Sequence, residues 1–386
     1  MSNKTYDYLI FGASGFTGRL VAEYFQNEYG KELNWAVAGR NKSKLEQVLA
    51  EMKIEAPIEV LDSSDLESIH DAISKTNVLI TTVGPYQLYG SDIVKKCAEL
   101  GVHYVDLSGE PGWMHYMQEH QSVAKESGAR IVHSCGFDSI PSDLGVFFLQ
   151  QKAMEKYGSP FSTVKCGVRS MVGEFSGGTA ASLNATLQSI RKDPNMISIL
   201  MNPFSLAEGF EGPAQPDGNV VVYDEDFNQW MAPFIMAPIN TKNVHRSNKL
   251  LSHLYGKDLI YSEMMMAGDG DKGKETADFI ASVNPLMGEN VPKPGEGPSK
   301  ESREAGSYDL VFLGVDETNK MQVAVKGNLD PGYGSTSKMI AESGICLLED
   351  CADLPGGIYT TAPAMGNKLI ARLEAHDVMH FTEEEI

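Results

Sequence analysis

Near the start of the chain, Gly12-Ala13-Ser14-Gly15-Phe16-Thr17-Gly18 forms a GxxGxxG run. It lies between an apolar strand pattern, Tyr6 to Phe11, and a helical pattern with Leu20, Val21, Tyr24 and Phe25 on one face. Glycine at these spacings permits a tight turn and lets backbone approach a pyrophosphate. The helix that follows offers free N–H groups and the positive end of its dipole. A bare glycine pattern also suits an empty turn, but its place after the first strand of a β-α series points to a dinucleotide. Gly12, Ser14, Gly15, Phe16, Thr17 and Gly18 are the expected contacts.

The second strand pattern, Trp35 to Ala38, runs into Gly39-Arg40-Asn41-Lys42 with no acid. An Asp or Glu there would hold a ribose 2′-hydroxyl, whereas an arginine clamps a 2′-phosphate with paired N–H donors. Arg40 therefore points to NADP(H), against the plain alternative of a solvated loop arginine.

Hydride transfer asks a protein for orientation and a proton source. Candidates belong on loops at the carboxyl edge of the sheet. Val83, Gly84 and Tyr86 follow the fourth strand; Asp106, Ser108, Gly109 and Glu110 follow the fifth; Cys135 and Asp138 follow the sixth. Val83, Gly84, Ser108 and Gly109 are expected beside the cofactor, and Tyr86, Cys135 and Asp138 near the nicotinamide. Tyr333, between Gly332 and Gly334, is a further candidate donor. Each has a structural alternative: a rim tyrosine, a small buried cysteine, an Asx turn or helix cap, a packed turn. Glu110 reads equally as a solvated loop acid. Arg169 and the Ser176-Gly177-Gly178-Thr179 turn are weaker candidates, the turn reading first as a helix cap. No tyrosine has a lysine four residues later, which sets aside short-chain dehydrogenase chemistry. His133 with Cys135 and His115 with His120 are isolated pairs, so no metal site is expected.

The elements that must position these residues alternate strand and helix over the first 145 residues, as a parallel sheet covered on both faces requires. Beyond them, Val164 to Val172, Tyr308 to Val315 and Met321 to Lys326 read as strands, the last two alternating like an antiparallel pair. Residues 205–300 are rich in Gly, Pro and Asn, with methionines at 264–266. The expected fold class is α/β: an N-terminal Rossmann-type parallel sheet with a second α+β domain built on a mixed sheet. The expected domains are 1–145 (NADP-binding), 146–335 (substrate or dimerisation) and 336–386, a helical segment packing back on the first. Glu383 to Glu385 reads as a solvated acidic end.

With 32 Lys and Arg against 52 Asp and Glu, the net charge of −20 argues against nucleic-acid partners and against docking on anionic membranes. Five cysteines with no CxxC suggest reduced thiols. The chain lacks a signal-peptide pattern and an 18-residue apolar run, so a cytoplasmic location is expected. Peripheral membrane association and a homodimer stay open.

Taken together, the segments GASGFTGR, AGR, TTVGPYQLYG, VHYVDLSGEPGW, HSCGFDSIPSDLG and DPGYGSTSKMIAESG resemble the saccharopine dehydrogenase-like oxidoreductases. That group includes the trans-acting enoyl reductases of mycobacterial lipid synthesis. The resemblance is close over residues 5–150 and fair over 320–370. It implies an NADP-type Rossmann domain and a second domain on a mixed sheet. VGPY, SGEP and CGFDS look more like the enoyl reductase branch. The expected activity is NADP(H)-dependent reduction of a C=C or C=N bond in a small-molecule substrate, lipid-like or amino-acid-derived. The alternatives are a true saccharopine-type dehydrogenase and a non-catalytic NADP(H)-binding sensor or lipid-associated scaffold.

Overall fold

A computed structural model describes residues 4–174, 177–193, 195–283 and 297–386. Seven parallel strands make the first sheet: β1 (Tyr6–Phe11), β2 (Trp35–Gly39), β3 (Ile58–Val60), β4 (Thr76–Thr81), β5 (His103–Val105), β6 (Arg130–Val132) and β13 (Gly357–Tyr359). Their order is β13-β6-β5-β4-β1-β2-β3, so the chain reverses direction across the sheet between β1 and β4. That switch point opens a crevice at the carboxyl ends of the strands, where dinucleotides lie in doubly wound sheets. The strands are short and apolar because both faces are covered: Tyr8 to Phe11 and Trp35 to Ala38 are all buried.

The second sheet contains β7 (Thr163–Val172), β8 (Val222–Asp224), β9 (Gln229–Pro233), β10 (Ile260–Gly268), β11 (Ser307–Val315), β12 (Lys320–Gly327) and β14 (His380–Glu384). Its order is β14-β12-β11-β7-β10-β9-β8, with β7 and β10 parallel and the other pairs antiparallel. The fold is thus the α/β class, a Rossmann-type parallel sheet joined to a mixed one. The methionines 264–266 form the middle of strand β10.

The chain after residue 335 ties the two sheets together. Helix Thr336–Glu349 lies on the first sheet, and a Cβ on Gly344 would come within 2.7 Å of Ile80 on β4. Strand β13 then extends the first sheet and β14 closes an edge of the second. Glu384, expected at a solvated end, accepts from Arg169, Gln322 and Lys326 within that strand's surroundings. The Arg169 guanidinium beside it holds its carboxyl down at about 2.

Candidate functional site: a cleft between the two sheets

A cleft of about 750 Å3 runs along the carboxyl edge of the first sheet, under residues carried by the second. Its floor begins at the glycine run. Gly12 has φ +101°, a conformation that L side chains rarely adopt, and a Cβ there would strike Thr82 and Val83. A Cβ on Gly18 would sit 2.2 Å from the Gly12 carbonyl oxygen, so this glycine is required for the helix to pack on the turn. Gly15 is different: its Cβ would have a 3.2 Å contact to that same oxygen and little else. Gly15 is the N-cap of helix Phe16–Tyr24, and no side chain caps that end. The first-turn N–H groups are left for a ligand, the arrangement that receives a phosphate.

Ser14, Gly15, Phe16, Thr17, Gly18, Arg40, Val83 and Gly84 all line the cleft. Arg40 is exposed just past β2, where the strand ends without an acid; Leu61 and Ser63 line the cleft just past β3, and the Asp62 carboxylate between them is within reach of the Arg40 charge. An uncapped helix end, a glycine cradle and one arginine fit a pyrophosphate with a 2′-phosphate.

The rest of the cleft is built by Gly109, Glu110, Asp138, Met171, Glu174, Leu200, Ile235, Met236, Pro238 and Ile239, with Tyr333 beside the glycine loop. Asp138 is partly buried, and its Oδ1 has no hydrogen-bond partner within the protein. Burial pushes its carboxyl up to about 6. Gly109 lies directly beside it, since a Cβ there would be 3.1 Å from Asp138 Oδ2. Glu110 is buried and accepts from the backbone N–H groups of Tyr86 and Gln87, both at 2.9 Å, and from the Ser182 hydroxyl at 2.9 Å. It therefore braces the β4 and β5 loops against the helix Gly177–Lys192. Desolvation raises its carboxyl, opposed by those donors.

Residues 8–132 match the family model described as the saccharopine dehydrogenase NADP binding domain. A Mycobacterium tuberculosis protein with a provisional trans-acting enoyl reductase name is 36% identical over 408 residues, covering 97% of each chain. A protein of Mycobacterium ulcerans named trans-acting enoyl reductase is 32% identical over 405 residues, covering 96% of each. This chain belongs to the saccharopine dehydrogenase-like family, in its trans-acting enoyl reductase branch. The solved apo saccharopine dehydrogenase of Saccharomyces cerevisiae shares its fold, with a TM-score of 0.52 at 12% identity over 99% of this chain and 100% of that one. As a member of this family the protein is an NADP-dependent oxidoreductase acting on a small-molecule substrate.

Within this family member the candidate donors are not equivalent. The Tyr86 ring lines the cleft, but its hydroxyl donates to the Thr81 carbonyl and accepts from Leu107 N–H, both at 3.1 Å, and the ring stacks on Trp113. Burial holds its proton far above the ordinary tyrosine range. Cys135 is fully buried, with its thiol directed to the Val132 carbonyl at 3.5 Å, and it is absent from the cleft wall. Burial pushes that thiol up, away from thiolate chemistry. Ser108 is likewise buried; its hydroxyl accepts from Glu110 N–H at 3.2 Å, while Gly109 next to it faces the cleft. Tyr333 is at the opposite wall, edge to face with Phe16. Asp138 is the one candidate that joins the cleft with a proton held near neutrality.

Arg169 pairs with Glu384 and Asp309 in the second sheet and serves that sheet. Ser176 lies outside the described residues; the helix starts at Gly177, placing Thr179 within its first turn rather than at its cap. Among the described residues no group of three His, Cys, Asp or Glu is placed to hold a metal, and no helix is long and apolar enough to cross a membrane.

Sequence reasoning missed the helix Ala237–Leu250, whose first turn supplies Pro238 and Ile239 to the cleft. Its buried face carries Asn240, Asn243, Ser247 and Asn248, so no apolar stripe betrays it. The one available signal was Pro238 at the second helical position.

Proposed function

We propose that this protein is an NADPH-dependent enoyl reductase that saturates a C=C bond conjugated to a carbonyl in an apolar acyl substrate. The observation that carries the reading is the composition of the cleft. Among its described lining residues Arg40 is the only cation, and it stands at the cofactor end. The substrate end has the apolar wall of Met171, Leu200, Ile235, Met236, Pro238 and Ile239 around the carboxyls of Glu110, Asp138 and Glu174. An amino-dicarboxylate would meet repulsion there and no partner for its acids, whereas an acyl chain gains about 25 cal/mol per Å2 of surface buried.

The chemistry that bound NADPH brings to the cleft is a hydride for the substrate's β-carbon. Asp138 in its neutral form supplies the proton for the α-carbon; a carboxyl held near 6 is protonated often enough at neutral pH to act as general acid. The apolar wall orients the acyl chain and keeps water from the reacting carbons. Glu110, by fixing the Tyr86 and Gln87 backbone, holds the loop on which the nicotinamide half would rest.

The experiment is NADPH oxidation followed with two substrate sets: α,β-unsaturated acyl thioesters of increasing chain length, and lysine with a 2-oxo acid. Turnover of the thioesters that improves with chain length supports the proposal. Turnover confined to the imine-forming pair identifies a saccharopine-type dehydrogenase instead.

A further inference from the structure

A buried hydrogen-bonded cluster links the Asp138 loop to strand β10 through the helix Ala237–Leu250. Glu263 of β10, 1% exposed, accepts from the Ser142 hydroxyl at 2.8 Å and from the Asn240 side-chain amide at 3.0 Å, both on the same carboxyl oxygen. Asn243, one turn further along Asn240's helix, donates to the Ser139 hydroxyl at 2.8 Å, immediately after Asp138. The other Glu263 oxygen accepts from the Tyr261 hydroxyl at 3.5 Å, yet the cluster is short of donors. Asp138 Oδ1, Asn240 Oδ1 and Asn243 Oδ1 are all buried without a partner, and each asparagine is only 1% exposed. It also lacks a counter-charge: among the described residues, no ion pair involves Asp138 or Glu263. Arg246, on the same helix as Asn240, is occupied by Gln118 and the carbonyls of Leu206 and Ile358.

Buried acceptors are rarely left unpaired, because each gives up its hydrogen bonds to water with nothing in return. The donors that complete such a site are protons on the carboxyls and a bound water, which needs two to four polar partners. We infer that Asp138 and Glu263 share one proton through a bridging water whose other O–H is donated to an asparagine carbonyl of this cluster, and that Glu263 returns a proton to Asp138 after each turnover. The second half of this inference rests on the reading of Asp138 as the proton donor. Two buried carboxyls tied into one hydrogen-bonded cluster without a cation do not both ionise readily, so they titrate as a pair. Burial raises both, Glu263 to about 7, and the Asp138 charge contributes to the rise at Glu263. The other ionisable groups around them are Tyr261 on β10, Cys166 on the paired strand β7, Asp143 on the helix of Ser142, and Lys242 and His245 on the helix of Asn240.

The proton count closes. The Asp138 O–H breaks as the substrate C–H forms, leaving Asp138 a carboxylate. With the pair's one shared proton spent, Glu263 takes up a proton from solvent, and its O–H then breaks as the water passes a proton on to Asp138, restoring the singly protonated pair. No electrons move in this relay, and one proton enters per turnover. Glu263 acts through Asp138 and is a positioning residue.

The test is an infrared titration of protonated carboxyl groups in the full-length protein without substrate, comparing wild type, Glu263→Gln and Asp138→Asn. Sharing predicts that each substitution moves the remaining carboxyl's titration down by roughly one pH unit, because the like charge is gone. Carboxyls that titrate at the same pH in wild type and variants overturn the pairing. If Glu263→Gln does not fold, Asp138→Asn alone reads the same coupling from the other side. With an active substrate, Glu263→Gln should lower kcat about tenfold and displace its pH profile with KM for NADPH unchanged, and Glu263→Asp should restore the profile; an unmoved profile removes the resupply step. The infrared result stands whichever substrate class proves correct, so failure of the pair and failure of the enoyl assignment are separable.

Discussion

Phe16, the first residue of the cofactor-loop helix, meets Tyr333 edge to face, with ring centroids 5.1 Å apart and planes at 80°. The contact joins the glycine loop of the first sheet to the segment Pro331–Ser335 that leads back from the second. Asp330 secures that segment by accepting from Tyr333 and Gly334 N–H at 2.9 and 2.7 Å. The rings thus latch the cleft at its cofactor end. Such a pair contributes about 0.5–1.5 kcal/mol beyond its buried area. A double-mutant cycle of Phe16→Ala and Tyr333→Ala, read as NADPH affinity, should show a coupling of that size. Strictly additive losses would mean that the two rings act independently.

Gly15 and Gly18 should fail in different ways. Gly15→Val meets one tight contact, to the Gly12 carbonyl, and fills the space a pyrophosphate needs, so cofactor binding should be lost with far less change in thermal stability than Gly18→Ala causes. Gly18→Ala drives a Cβ into the Gly12 carbonyl and should destabilise the fold by about 1–3 kcal/mol. Thermal melts beside NADPH titrations separate the two, and equal destabilisation by both would contradict this division.

Arg40→Ala should weaken NADPH by about 1.5–3 kcal/mol, roughly 10- to 100-fold, and leave NADH nearly unaffected. Calorimetric titration with both cofactors is the check. A parallel loss for NADH would show that Arg40 does not read the 2′-phosphate.

Asp138 should leave a signature in stability against pH. Its carboxyl is raised from 3.8 to about 6 by burial, so the neutral form suits the folded state. The stability associated with that form is full below pH 3.8 and is lost as pH rises through 6. Asp138→Asn should therefore match wild type near pH 4 and exceed it by about 3 kcal/mol above pH 7. Chemical denaturation across that range measures the difference, and a difference independent of pH would contradict it. Reductase activity should fall over the same rise in pH.

The β-α series and the glycine run were legible because periodicity and glycine position report directly on buried strands and tight turns. The place of Arg40 in the cleft was legible because a residue at the carboxyl end of a Rossmann strand lies at the crevice. Side-chain direction was not. Cys135 and Asp138 are three residues apart on one loop, yet only Asp138 turns into the cleft. Tyr86 reaches the cleft with its ring and spends its hydroxyl on Thr81 and Leu107, a detail set by tertiary packing. Glu263 was hidden for a different reason: in a strand pattern an acid reads as solvent-facing, and only the donors Ser142 and Asn240, distant in sequence, make its burial tolerable.

The most direct test of the enoyl reductase account is isotope transfer from NADPH deuterated at the nicotinamide C4 to an α,β-unsaturated acyl thioester in ordinary water. The account predicts one deuterium at the β-carbon, delivered stereospecifically, and a solvent-derived hydrogen at the α-carbon, with turnover lost in Asp138→Asn. Absence of deuterium from the acyl product, or transfer only to an imine carbon, would contradict it.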